Sequence, residues 1–172
     1  MSQCHDWITP CRRYTLQLAY KHWQQIAREC DRSGAIETGG ILVGHYTKNA
    51  STAIVTEALP APTDSARGRS WFHRGVVGLR RLLANRWKSK IRTHYIGEWH
   101  YHPSSNVAPS RDDLAQMYCI NADPRFHCRE PVMLIFGQPR DHDERPVRAF
   151  IFPHGERYIE FKESRRPLGK KC

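Results

Sequence analysis

Thr93-His-Tyr-Ile-Gly-Glu-Trp-His-Tyr-His102 is a run of aromatic and β-branched residues that halts at Pro103. Such a run reads as a strand, because proline has no N–H to give to a ladder. After the loop Pro103-Ser-Ser-Asn-Val-Ala-Pro109, Ser110 stands where a helix N-cap would, and Arg111 to Ile120 reads as the helix it opens. Residues i and i+2 of a strand share a face, so His100 and His102 project together. Asp113 lies in the helix's first turn and adds an oxygen donor if the loop folds back. Two imidazoles and a carboxylate suit zinc, and three protein ligands leave the fourth tetrahedral position for water. That is the arrangement of a catalytic rather than a structural site.

The flanking sequence supplies the rest of an α/β domain. Leu16, Ala19, Trp23, Ile26, Ala27 and Cys30 recur at helical spacing and predict an amphipathic helix over about 15–30, with Gly34 as its stop. Thr38–Tyr46 and Thr52–Leu59 read as strands joined by a turn at Lys48-Asn49, and Pro60 ends the second. Val76, Leu79, Leu83 and Trp87 mark a second helix. Pro131–Phe136, Val147–Phe152 and Arg157–Lys162 complete a set of strands. Alternating strands and helices predict a mixed central sheet in a single domain spanning residues 1–172, with a basic, frayed tail from about 164.

Composition narrows the function classes. The 172 residues carry 27 Lys+Arg against 17 Asp+Glu, a formal charge of +10, and 5 Trp, 7 Tyr and 6 Phe. That many aromatics argue against global disorder. No apolar stretch is long enough to cross a membrane. The opening residues Met1–Arg13 lack the apolar core of a signal peptide, so a cytoplasmic protein is expected. Reduced cysteines are expected on the same ground, although Cys119–His127–Cys128 and Cys4–His5–Cys11 are conceivable second metal sites. Between Ser65 and Gly97 there are nine basic residues, from Arg67 to Arg92, and no acidic one. They read as a solvated helix face able to meet an acidic protein surface. No nucleic-acid-binding signature accompanies them.

A water in the fourth position needs a general base, and two glutamates compete. Glu98 shares a strand face with His100 and His102 but lies deeper in the sheet. Glu37 opens Glu37-Thr-Gly-Gly40, where glycines let the backbone approach a neighbouring strand closely. Spacing alone leaves both open.

Taken together, Glu37-Thr-Gly-Gly, His100-x-His102-Pro103 and Ser110-x-x-Asp113 resemble the signature of the JAB/MPN (JAMM) metallopeptidases, over nearly all of residues 7–162. The resemblance implies a mixed, curved sheet flanked by helices, the cytidine-deaminase-like fold. It implies one zinc per chain on His100, His102 and Asp113, with Glu37 as general base, Ser110 as oxyanion donor and Glu98 in a supporting role. Family members cut peptide or isopeptide bonds after the tail of ubiquitin or a ubiquitin-like protein. The phrasing Trp71-Phe-His-Arg-Gly-Val-Val and Gly97-Glu-Trp-His-Tyr-His-Pro-Ser104 is similar to the short JAB peptidases of bacterial CBASS anti-phage operons. There, E1/E2-like partners conjugate the C-terminal tail of a cGAS-like nucleotidyltransferase and the JAB enzyme removes it. Competing readings are a peptidase for another ubiquitin-like or sulfur-carrier protein, a non-catalytic JAB-like binding module, and a basic nucleic-acid binder.

Overall fold

The computed structural model describes residues 4–104, 106–140 and 144–164. The basic tail anticipated from about 164 therefore lies almost wholly outside the described residues. In chain order the strands are β1 (Cys4–Ile8), β2 (Thr15–Ala19), β3 (Thr38–Tyr46), β4 (Thr52–Pro60), β5 (Ala66–Arg67), β6 (Phe72–His73), β7 (His94–His102), β8 (Val132–Gly137), β9 (Val147–Ile151), β10 (Ile159–Glu160) and β11 (Lys162–Glu163). The helices are α1 (Tyr20–Ser33), α2 (Leu79–Trp87) and α3 (Arg111–Ala122). A nine-stranded mixed sheet runs β10-β9-β8-β7-β3-β4-β2-β1-β11, and β5 and β6 form a separate hairpin.

The sheet curves until a single segment bridges its two ends. Within residues 159–163, β10 pairs with β9 while β11 pairs with β1 at the opposite end. Between them Phe161 turns its side chain into the core, 4% exposed. Both outer strands are short, which limits the unpaired edge open to association.

Alternation along the strands makes two cores. Leu16, Leu18, Leu42, Trp99, Tyr101, Leu134 and Phe136 pack with Ile26 and Cys30 of α1 on one face. Ile41, Val43, Met133, Ile135 and Phe150 pack with Met117 and Ile120 of α3 on the other, where Leu79 and Leu83 of α2 join them. Burying a side chain such as Leu134 or Met117 completely is worth roughly 1.5–3 kcal/mol.

Two local expectations shift. The first helix begins at Tyr20, not near 15, because Leu16 and Leu18 alternate and Thr15–Leu18 pair in parallel with Thr52–Val55. Leu16 and Ala19 satisfy a helical stripe as well as a strand, and the ladder decides between them. The second helix is confined to Leu79–Trp87, leaving Val76 and Val77 exposed in the preceding turn. Among the described residues Cys11, Cys30, Cys119 and Cys128 are free thiols.

Strand β7 carries a bulge that matters for the site. Its register against β3 shifts where Leu42 faces Gly97 and Val43 faces Tyr95. The extra residue reverses side-chain parity, a known effect of bulges. Tyr95 before it and Glu98, His100 and His102 after it consequently share the α3 side of the sheet. Gly97 makes the bulge possible: a Cβ there would lie 1.9 Å from the Val132 carbonyl oxygen, at φ +156°. Gly97→Ala is expected to cost about 3 kcal/mol, the upper end of overpacking penalties, because a backbone atom must yield. Urea denaturation checks this; an unchanged midpoint would mean that β7 and β8 separate freely.

Candidate functional site

Strand β7 delivers His100 and His102, and the capped start of α3 delivers Asp113 and Ser110. The cap is a reciprocal box. The Asp113 N–H donates to Ser110 Oγ at 3.1 Å, and the Ser110 N–H donates to Asp113 Oδ2 at 2.7 Å. Asp113 is thus held by its own helix terminus while its carboxylate faces β7. His100 Nδ1 lies 2.7 Å from Asp113 Oδ1, and His102 Nε2 lies 3.4 Å from Asp113 Oδ2. His100 is 2% and Asp113 7% exposed.

Donor atoms of His100, His102 and Asp113 all fall within 4.8 Å of one another, and among the described residues this is the one such convergence of His, Cys, Asp or Glu. Bonds of about 2.0–2.2 Å put tetrahedral ligands roughly 3.4 Å apart, so small rotations suffice to enclose a cation. The donor set fits a metal. Neither cysteine–histidine grouping considered from the sequence forms a comparable cluster among the described residues.

The charges explain how three polar groups tolerate burial. Burial opposes a charged His100, but its contacts with Asp113 and Glu98 outweigh that and push the imidazole up to about 9. Burial likewise works against an ionised Asp113, yet the His100 and His102 contacts and the Ser110 N–H hold it well below the ordinary carboxylate range.

The two competing glutamates have different surroundings. Glu98 is fully buried, and its carboxylate is occupied: Arg74 Nε donates at 2.9 Å and Tyr95 Oη at 3.1 Å to Oε1, Gln116 Nε2 donates at 2.6 Å to Oε2, and His100 Nε2 lies 3.3 Å from Oε2. Glu37 is half-buried, and among the described residues no hydrogen bond reaches its carboxylate. Its position is set by its backbone N–H, which donates to the Gly68 carbonyl at 2.8 Å. Burial raises its pKa, and the charges of His102, Asp113 and His100 all act on it. The β3–β7 register brings it to the metal-capable trio by pairing Gly39 with His100. That approach requires glycine, since a Cβ on Gly39 would be 2.6 Å from the Trp99 carbonyl oxygen.

A cleft of about 460 Å³ runs past these groups, lined by Glu37, Ser110, Asp113 and Gln116 and by Trp71, Phe72 and His73 of the β5–β6 hairpin. Phe72 meets the His100 ring edge-on, with centroids 5.6 Å apart.

All five residues singled out from the sequence therefore gather at one place. Sequence reasoning missed the network behind them. Arg74 was counted with a solvated basic face but is buried against Glu98, with its side chain 9% exposed. Arg86 pairs with Glu57 at the surface, so part of the basic run is already matched by an acid of the same chain. Gln116 follows Asp113 by one helical step, a periodicity that could have placed it on the site-facing side of α3.

Comparison with known proteins adds four findings. Residues 20–150 match the family described as prokaryotic homologs of the JAB domain. A protein of Enterobacter hormaechei subsp. hoffmannii named "CD-NTase/cGAS isopeptidase" is 41% identical over 150 residues, 87% of this chain and 82% of the relative. A Pseudomonas aeruginosa protein of the same name is 28% identical over 148 residues, 85% of this chain and 77% of that one. Among solved structures, a Desulfitobacterium hafniense protein matches with a TM-score of 0.52 at 17% identity, covering 84% of this chain and 86% of that one, a likeness of fold.

Proposed function

The chain belongs to the prokaryotic JAB-domain family, and from that premise we propose that it is a zinc-dependent isopeptidase releasing a conjugated cGAS-like nucleotidyltransferase from its targets. The observation that carries the chemistry is the convergence of His100, His102 and Asp113 beside Glu37, whose carboxylate takes no hydrogen bond among the described residues. The substrate class rests on the printed name of the 41%-identical relative, and CBASS anti-phage defence on the sequence resemblance. E1/E2-like conjugating proteins are the expected functional partners.

His100, His102 and Asp113 would hold the ion. A zinc ion so held would act as a Lewis acid, polarising a carbonyl and bringing the pKa of water from about 15.7 toward 7. The chain's own groups do the remainder. Glu37 accepts the proton of the attacking water at its carboxylate and returns it to the departing lysine amine. Ser110 Oγ, which accepts from the Asp113 N–H, keeps its own O–H free to donate to the carbonyl oxygen as charge develops there. Trp71 and Phe72 line the cleft that would receive an extended tail.

Ser110→Ala is expected to lower kcat by about 10²–10³-fold, the usual effect of losing an oxyanion donor. It should also destabilise α3 by about 1 kcal/mol through the lost cap. Comparing kcat with the thermal midpoint separates these effects; full activity with a lowered midpoint would leave Ser110 a cap alone.

The functional reading is tested with a cGAS-like nucleotidyltransferase joined through its C-terminus to a target lysine. Incubation with the protein should free both partners intact, and a zinc chelator should stop it. Zinc binding with no release of this conjugate would move the substrate assignment to another ubiquitin-like tail.

A further inference from the structure

Glu98 gathers four polar side chains at one buried carboxylate. Arg74 comes from the segment that follows the cleft hairpin, Tyr95 from β7 ahead of the bulge, Gln116 from α3, and His100 from β7 beside the cleft. The ion pair with Arg74 favours the ionised form, which can only accept hydrogen bonds. Its Oε2 lies 3.3 Å from His100 Nε2, so the proton of that contact belongs on Nε2. The other ring nitrogen, Nδ1, is the one beside Asp113 at 2.7 Å.

We propose that Glu98 is a positioning residue that fixes the tautomer and orientation of His100, making Nδ1 the nitrogen that faces the metal. The inference rests on the zinc reading above and adds an assignment to it. Arg74 and Gln116 hold Glu98 on both oxygens, so the carboxylate stays on His100 rather than turning toward the cation. Without such an acceptor a neutral imidazole can place its proton on either nitrogen, and one of the two tautomers cannot ligate from the Asp113 side. Outer carboxylates on ligating histidines act in this way, and removing one costs roughly 10–100-fold in metal affinity. A plain alternative is that Arg74–Glu98 merely staples the loop to the sheet. It predicts a loss of stability with no change in the metal site.

Two measurements separate these. In zinc-loaded wild-type protein labelled with ¹⁵N, long-range ¹H–¹⁵N correlation of the His100 ring should show the proton on Nε2 and zinc at Nδ1. The reverse tautomer overturns the proposal without any variant having to fold. In Glu98→Gln the amide keeps an oxygen for Arg74 and Tyr95 but turns N–H groups toward His100, favouring the wrong tautomer. Competition with a chromophoric chelator should then show zinc bound about 10–100-fold more weakly than in wild type. Wild-type affinity in that variant overturns the proposal. Wild-type protein that takes up no zinc overturns the metal reading itself, and this assignment with it.

Discussion

Glu37→Gln lowers kcat by about 10²–10⁴-fold, the range for loss of a general base, while the protein still folds and still binds about one zinc per chain. The amide keeps the shape of the carboxylate but cannot accept the proton of the attacking water. The metal should be unaffected because Glu37 stands outside the His100, His102 and Asp113 convergence. Its backbone position depends on the hydrogen bond to Gly68, which the substitution leaves untouched. Single-turnover cleavage at saturating enzyme, with zinc content measured on the same preparation, checks both halves. A variant that keeps the wild-type rate removes Glu37 as the base. Glu98 would not inherit the role, since four polar groups already occupy it.

His102→Ala abolishes turnover by a different route, through loss of the ion. A cation left with two protein donors should bind more than about 100-fold more weakly, a larger effect than removal of an outer hydrogen-bond partner. The fold should survive, because His102 is the last residue of β7 and lies outside both hydrophobic cores. Equilibrium dialysis against zinc, with circular dichroism on the same samples, reads the two quantities separately. Unchanged zinc binding would take His102 out of the ligand set. Acid should imitate this variant in wild-type protein. His100, pushed up to about 9 without metal, is protonated at pH 7, so the ion must displace a proton to bind. Zinc affinity therefore falls as pH is lowered.

The metal-capable trio was legible in the sequence because it is local. A strand ending in His100-x-His102-Pro103 and a capped helix opening at Ser110 specify their own geometry, and the observed cap and strand end fall where those residues put them. Glu37 was legible as a candidate but not as a choice. Its distance from the trio depends on the register of β3 against β7, a long-range property. What lies behind the site was not legible at all. Alternation carried back from Glu98 puts Tyr95 on the opposite face; only the bulge at Gly97, where the Val132 carbonyl leaves no room for a Cβ, reverses that. Arg74 reads as one more charge in a basic run until a buried acid is found opposite it. The curvature of the sheet was equally hidden, because residues 159–163 look like one strand and in fact join two edges. Thr15–Ala19 misled for a related reason: five residues fit both periods, and their partners decided.

Anomalous diffraction at the zinc edge, from crystals of wild-type protein grown with zinc, would locate the ion and its ligands. One strong peak is expected, bonded to His100 Nδ1, His102 Nε2 and the Asp113 carboxylate, with the Glu37 carboxylate nearby and not bonded to it. No peak at those three residues, or a peak that Glu37 or Glu98 ligates, would contradict this assignment.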